Sequence, residues 1–309
     1  MNISIVVPNY NGEEILKKNL PVLLKAVNNF RENKIEVVIA DDCSEDGSIQ
    51  VIEEFVKDNK NLKLVKSEKN KGFSTNVNKG VRESSGEIIV LLNTDVIANN
   101  SFLNPLIEHF SDDSVFAVGC LNESVENEKI VLRGRGIGKW EKGFLMHKAG
   151  DLEKTNTLWI SGGSGAFRKK IWDKLGGLDE VYDPFYWEDI DISYRAQRAG
   201  FKTLFEKKSV VRHEHEKGAI KSIYTPLQVK KIAYRNQFIF VWKNADFEKI
   251  ISHLLWLPYH LVNGIKGDRA LLLGFIDALF RLHNILNSRS IHRKQFVVSD
   301  KEVLENLTS

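Results

Sequence analysis

The sequence predicts an α/β protein, a mostly parallel, Rossmann-like sheet flanked by helices, followed by a C-terminal helical extension. Three observations predict it. Short apolar runs alternate with stretches of helical spacing through the first 120 residues. The runs are nearly continuous, as strands covered on both faces are. Each run is also followed by a polar cluster, and open sheets of this kind bind ligands beyond the carboxyl ends of their strands.

The elements follow in order. Residues 3–7 are β-rich and end at Pro8, leading into Asn9-Tyr10-Asn11-Gly12. Residues 35–40 lead into Asp41-Asp42-Cys43-Ser44, and Asp46-Gly47-Ser48 then opens a helix marked by Ile49, Ile52 and Val56. A third run, 62–65, precedes Asn70-Lys71-Gly72-Phe73, and a fourth, 88–92, precedes Asn93-Thr94-Asp95. Residues 122–157 are polar and glycine-bearing, a long connection with short strands and the character of a flap. Strand pattern returns at 159–167 around Gly162-Gly163. A helix starts at Glu188 and runs to Arg198, with Gly200 as its stop. Further strands are expected at 201–205 and 209–211. From Pro226 to about residue 288 the pattern is helical, so the chain divides into 1–225 and 226–309.

Composition narrows the function. With 42% hydrophobic residues among 309, the chain can bury a core. A net charge of +3 is too small for a dedicated nucleic-acid binder. Two cysteines, Cys43 and Cys120, make no disulfide framework and read as reduced thiols of a cytoplasmic protein. Neither a signal peptide nor an apolar window of spanning length is expected. Charge is uneven: from residue 206 onward 17 Lys/Arg face 10 Asp/Glu, giving +7 and leaving −4 for the first 205 residues.

Several groups could carry chemistry. Asp41 and Asp42 are adjacent, so their side chains point opposite ways. One could accept from a uracil or thymine N–H while the other orients the turn. Asp95, emerging from a buried strand, could hold a divalent cation against a diphosphate, or the triplet could simply cap the next helix. Glu188, Asp189 and Asp191 crowd a helix N-terminus, where the dipole favours negative charge. Asp191 and Arg195, four apart, are expected to pair as surface charges do, which leaves Asp189 free for a cleft. His213 and His215 would share one face of a strand.

After the first strand stands Pro-Asn-Tyr-Asn, not the glycine fingerprint of a dehydrogenase, and no P-loop is present. The ordered set of motifs instead resembles the inverting family 2 glycosyltransferases with the GT-A fold. The likeness rests on Ile-Val-Val-Pro-Asn-Tyr-Asn, Asp-Asp-Cys-Ser-Glu-Asp-Gly-Ser, Asn70-Lys71-Gly72-Phe73 with Asn76, Asn78 and Gly80, Leu92-Asn93-Thr94-Asp95, Gly162-Gly163 and Trp187-Glu188-Asp189-Ile190-Asp191. It extends over nearly the whole chain and is similar to bacterial rhamnosyltransferase-like cell-envelope members. The resemblance implies that Pro8, Tyr10, Asn11, Asp41, Asp42, Gly72, Asn93, Thr94 and Asp95 bind a UDP- or dTDP-sugar, with Asp41 on the base. It implies Mg²⁺ or Mn²⁺ at Asp95 and His213, Asp189 as general base beside Glu188, and Gly162, Gly163 and Trp187 on the acceptor side. Asn93 stands where the family has the first acid of Asp-X-Asp, so the metal site carries less charge. The implied acceptor is a lipid-linked or envelope glycan. The alternative is a non-catalytic nucleotide-sugar-binding subunit of a glycan assembly complex.

The C-terminal third adds an expectation. Residues 250–262 are strongly apolar. Residues 271–286 read as one helix whose polar positions Asp277, Arg281, Asn284 and Ser288 form a single stripe. Neither is long enough to span, so a peripheral position on the inner face of the cytoplasmic membrane is expected. A helical subdomain or a homodimer interface would use the same surface.

Overall fold

A computed structural model describes residues 1–30, 34–126, 129–213 and 223–307. The first half alternates strand and helix: β1 (Ile3–Asn9), α1 (Glu13–Asn29), β2 (Ile35–Asp41), α2 (Ser48–Asp58), β3 (Leu62–Lys66), α3 (Phe73–Arg82) and β4 (Ile88–Leu92). These strands are parallel in the order β3-β2-β1-β4. β1 and β2 pair from Ile3 with Ile35 to Asn9 with Asp41, so two of the polar clusters emerge side by side.

The second half comprises β5 (Val96–Ala98), α4 (Leu103–Glu108), β6 (Val115–Glu126), β7 (Lys129–Arg133), β8 (Gly136–Glu141), β9 (Phe144–Ala149), β10 (Ser164–Arg168), α5 (Lys169–Leu175), α6 (Glu188–Arg198) and β11 (Lys202–His213). The sheet continues β4-β10-β6-β11-β5, with β7 on β6. Here it is mixed: β10 runs antiparallel to both neighbours, and β6 and β11 are parallel. The strand expected at 159–167 begins only at Ser164, because Gly162 and Gly163 form a turn. The two strands expected at 201–205 and 209–211 are one, β11, with a register shift between Glu206 and Val210.

Within the connection expected over 122–157, the end of β6 and β7 extend the main sheet, and the short strands β8 and β9 form a separate two-stranded sheet held at its turn. Its clamp is the C-terminal region: α7 (Pro226–Asn244), α8 (Phe247–Lys266), α9 (Arg269–Phe280), α10 (Leu282–His292) and α11 (Asp300–Glu305). His253 of α8 bonds the Gly143 carbonyl at 3.0 Å, and Phe144 packs edge-on against Phe238 and His253. The single helix expected over 271–286 is two, α9 and α10, because the chain breaks at Arg281 and bends by 67°.

Alternation along β1 distributes the core. Ile3, Ile5 and Val7 face α1, α2 and α4, while Val6 faces α3, α5 and α6. A third cluster joins α6, α7 and the β8–β9 hairpin through Leu145, Ile190, Tyr194 and Phe240. Each such buried side chain contributes roughly 1.5–3 kcal/mol of transfer free energy.

Candidate active site

A cavity of about 460 Å³ opens beyond the carboxyl ends of β1, β2 and β4. Its walls include Pro8, Tyr10 and Asn11 from the first strand end, Asp42 from the second, Gly72 and Phe73 at the start of α3, and Asn93, Thr94 and Asp95 after β4. Strand-end motifs separated by up to 87 positions thus meet in one place, as a parallel sheet requires.

The two adjacent aspartates divide as their alternation demands, with the roles placed otherwise than expected. Asp41 lies behind the wall, fully buried, accepting from Ser44 N at 2.9 Å, Ser44 Oγ at 2.6 Å and Asn9 Nδ2 at 2.7 Å. It orients the turn. Asp42 is the one facing the cavity, its carboxylate bonded by the backbone N–H groups of Lys71 and Gly72, the latter at 2.8 Å. Burial raises the Asp42 pKa, against the pull of those two amides. Gly72 has φ of +105°, and a Cβ there would meet the Asp183 carboxylate at 2.8 Å, so only glycine fits this approach.

Asp183 carried no signal in the sequence. It accepts from Ser74 N at 2.7 Å and Thr75 Oγ1 at 2.7 Å, capping α3, and burial raises its pKa from 3.8 to about 6. Pro184, Ile223 and Tyr224, also unforeseen, close the cavity together with Phe185 of the aromatic run before Asp189. Phe185 and Tyr224 meet edge to face at 4.9 Å. Pro184 and Tyr224 come from irregular segments, where neither periodicity nor a motif marks them.

Asp95 and His213 come together: Oδ1 and Nε2 lie 3.1 Å apart, each side chain 14% exposed. His215 lies outside the described residues. The buried Asn93 Oδ1 has no hydrogen-bond partner among the described residues. A carboxylate, an imidazole and an uncommitted amide oxygen suit Mg²⁺ or Mn²⁺, which take further oxygens from water and phosphate. Among the described residues no three His, Cys, Asp or Glu gather as a self-sufficient metal site. The donor set therefore fits a cation shared with a diphosphate.

Asp189 stands at the first turn of α6. Its Oδ1 accepts from Ile190 N at 2.7 Å and its Oδ2 from Gly162 N at 3.4 Å. A Cβ on Gly162 would touch Phe73 at 3.3 Å and Asp189 at 3.5 Å, so this glycine joins the Asp189 side chain to the cavity wall. A Cβ on Gly163 would strike the Asn93 amide at 2.6 Å. Burial raises the Asp189 pKa while the two amides oppose it. Glu188 is buried, and burial together with the Asp189 charge pushes its pKa well up. Its Oε2 has no hydrogen-bond partner among the described residues. Trp187 packs against His147 of β9 at 5.3 Å, which in turn meets Trp159 at 5.1 Å.

Asp191 departs from expectation. Its pair with Arg195, at 2.6 Å, is no surface bridge, since both side chains are fully buried. Lys243 joins at 2.7 Å and Asn244 at 2.7 Å from α7, with the Tyr182 hydroxyl at 2.9 Å. Burial alone would raise the Asp191 pKa; Arg195 and Lys243 outweigh it and hold the carboxylate below its ordinary range. The same helix braces the loop before Asp189. Tyr186 and Trp187 are consecutive left-handed residues, φ 73° and 75°. Asn236 Nδ2 donates to the carbonyls of Tyr182, Phe185 and Tyr186 at 2.8–2.9 Å, and Arg235 to those of Tyr182 and Asp183.

Comparison with known proteins agrees with this geometry. The O-antigen chain rhamnosyltransferase RfbN of Salmonella typhimurium is 24% identical over 73% of this chain and 68% of its own. A GalNAc(5)-diNAcBac-PP-undecaprenol beta-1,3-glucosyltransferase of Campylobacter jejuni is 28% identical over 47% of this chain and 48% of its own. The chain thus spans about half to two thirds of the length of these relatives. Among solved structures, GalNAc-T7 with UDP, GalNAc and Mn²⁺ superposes with a TM-score of 0.72 over 100% of this chain and 56% of that one, at 17% identity. Staphylococcus aureus TarS 1–349 with UDP-GlcNAc gives 0.60 over 99% and 90%, at 18% identity. Both share the GT-A fold. The model of Glycosyl transferase family 2 matches residues 4–176, more than half of the chain, and the protein belongs to that family.

Proposed function

We propose that the protein transfers a sugar, with inversion, from a nucleoside diphosphate sugar to an acceptor hydroxyl. The observation that carries this reading is Asp189, a buried carboxylate tied through Gly162 to the wall of a cavity that also holds Asp42 and the Asp95–His213 pair. Asp42 and Tyr10 would receive the base of a UDP- or dTDP-sugar. Asp95, His213 and Asn93 would hold a divalent cation, which when bound offsets negative charge on the departing diphosphate. Asp189 takes the proton of the acceptor hydroxyl. The acceptor oxygen bonds to the anomeric carbon as the bond from that carbon to the phosphate oxygen breaks, and the nucleoside diphosphate leaves. A raised pKa makes Asp189 a stronger base than an ordinary aspartate. Trp159 and His147 supply flat faces for acceptor sugar rings, with the buried Trp187 packed behind His147. The names of the Salmonella and Campylobacter relatives favour an envelope or lipid-linked glycan as acceptor.

The test is product formation from a panel of UDP- and dTDP-sugars with Mn²⁺ or Mg²⁺. Donors are first ranked by thermal shift, since a bound ligand raises the melting temperature. Asp189→Asn should keep the donor-induced shift and lose turnover by about 10²-fold or more. Wild-type turnover by the Asn variant would place the base elsewhere.

A further inference from the structure

The helices α8 to α10 pack Leu271, Ala278 and Ile285 into the core beside a few polar anchors, and present a second apolar face away from the protein. On α8 only His253 and Gly264 are buried, while Leu254, Leu255, Tyr259, Val262 and Ile265 face out, Leu255 and Ile265 at 77% and 74% exposure. On α9 and α10, Asp277 pairs with Lys231 at 2.7 Å, Arg281 donates to the Val181 carbonyl at 2.8 Å and Ser288 bonds Asp179. Phe280, at the bend, is 86% exposed. A helix of a soluble domain ordinarily turns such a stripe inward.

We propose that this face docks on an anionic lipid bilayer. Charge complementarity selects that occupant. The only exposed carboxylate on the three helices is Glu248, whereas Lys266 and Arg269 are exposed at the α8–α9 turn. Beside Leu286, a second cavity of about 420 Å³ is lined by Arg289, Ser290, Arg293 and Lys294, a basic recess at the edge of the apolar face. Lys142 sits over the rings of Trp256 and Tyr259, at 5.9 and 5.2 Å. Indole and phenol rings beside an ammonium group suit the headgroup boundary. The helices lie along the surface rather than cross it. No single helix among the described residues is long and apolar enough to span. The α9–α10 pair, which reaches that length together, is bent by 67° and tied to the body at Arg281 and Ser288. The surface is also continuous with the acceptor wall, through His253 and His260 on the β8–β9 turn and His147 on Trp187. Only that last link depends on the proposed transfer activity.

The experiment is flotation of the full chain with phosphatidylcholine vesicles, with and without phosphatidylglycerol, at low and high salt. UDP binding of every sample is measured by thermal shift. The wild type should float with the anionic vesicles at low salt, and Leu255→Glu with Ile265→Glu should abolish flotation while UDP binding is kept. Arg293→Glu with Lys294→Glu should reduce binding about tenfold or more, in line with the attraction of each basic residue near an anionic surface. The proposal is overturned if the wild type binds UDP but stays at the bottom of the gradient, or if the double-Glu α8 variant floats as well as wild type. A dimer in light scattering that the α8 variant dissolves, without flotation, overturns it in favour of a second copy. Loss of UDP binding alone would count against the transferase reading and leave the docking result to stand by itself.

Discussion

On the nucleotide side, the bonds that shape the cavity join neighbouring strand ends: Asn9 to Asp41, Asn11 to Ser44, Asp42 to Gly72. At the Asp189 corner they come from another layer of the molecule. Asp191 is held by Lys243, 52 residues on, and the loop before Asp189 by Asn236 and Arg281, 54 and 100 residues from their partners. The first region is a product of the sheet. The second is a joint between the sheet domain and the C-terminal helices, so the network around Asp191 and the loop before Asp189 crosses the division at residue 225.

If that difference is real, the largest loss of stability should come from the joint. Lys243→Met leaves Asp179 and Asp191 short of a cation in a buried site and should cost about 3–5 kcal/mol in urea unfolding. A cost under about 1 kcal/mol, typical of exposed pairs, would mean that the network is solvated. Asn236→Ala strands carbonyls of the 182–186 loop and should cost about 1–3 kcal/mol. It should also lower kcat more than donor affinity, because the loop it braces leads into Asp189 and meets the cavity only at Pro184 and Phe185. Equal loss of both would erase the distinction between the regions. On the nucleotide side, Asp95→Ala should weaken nucleoside diphosphate binding about tenfold, or about 1.4 kcal/mol, in Mn²⁺. In EDTA the effect should vanish. An equal loss in both buffers would make Asp95 a structural residue.

The smallest effect is a pH dependence at the border between the regions. The folded protein raises the Asp183 pKa from 3.8 to about 6, so the native state favours the protonated form. Its contribution to stability is present below pH 3.8 and is lost as pH rises towards 6. Asp183→Asn keeps an acceptor for Ser74 N, turns its amide N–H towards Thr75 Oγ1, and should make the fall in stability over that window shallower. An unchanged slope would assign it to the other carboxyls that burial raises, Asp42 and Asp189 among them.

The same contrast explains what could be read from the sequence. The strand-end clusters were legible because a buried parallel strand must end in residues that tolerate water and turn the chain. Position along a strand also says that Asp41 and Asp42 diverge, but not which one faces the cavity. That depends on Ser44 folding back over Asp41 and on Lys71 and Gly72 arriving from the next strand. Asp191 looked like half of an i,i+4 surface pair because Lys243 and Asn244 are invisible at helical spacing. The polar stripe of 271–286 was legible as a pattern. Its direction was not: Arg281 and Ser288 turn inward to the loop around Asp179 and Val181, Asn284 stays exposed, and the helix breaks between them.

Tyr186 and Trp187 hold left-handed conformations that cost of order 1–3 kcal/mol each for residues with side chains. The bonds from Asn236 and Arg235 set the loop in that shape before any acceptor arrives. The segment 182–187 and the pair 235–236 are therefore one inheritable unit although they lie half a hundred positions apart. Anyone exchanging this loop between members of the family would have to transplant the residue pair 235–236 along with it. A graft of the loop alone should arrive unfastened, with Asp189 adrift from the cavity wall.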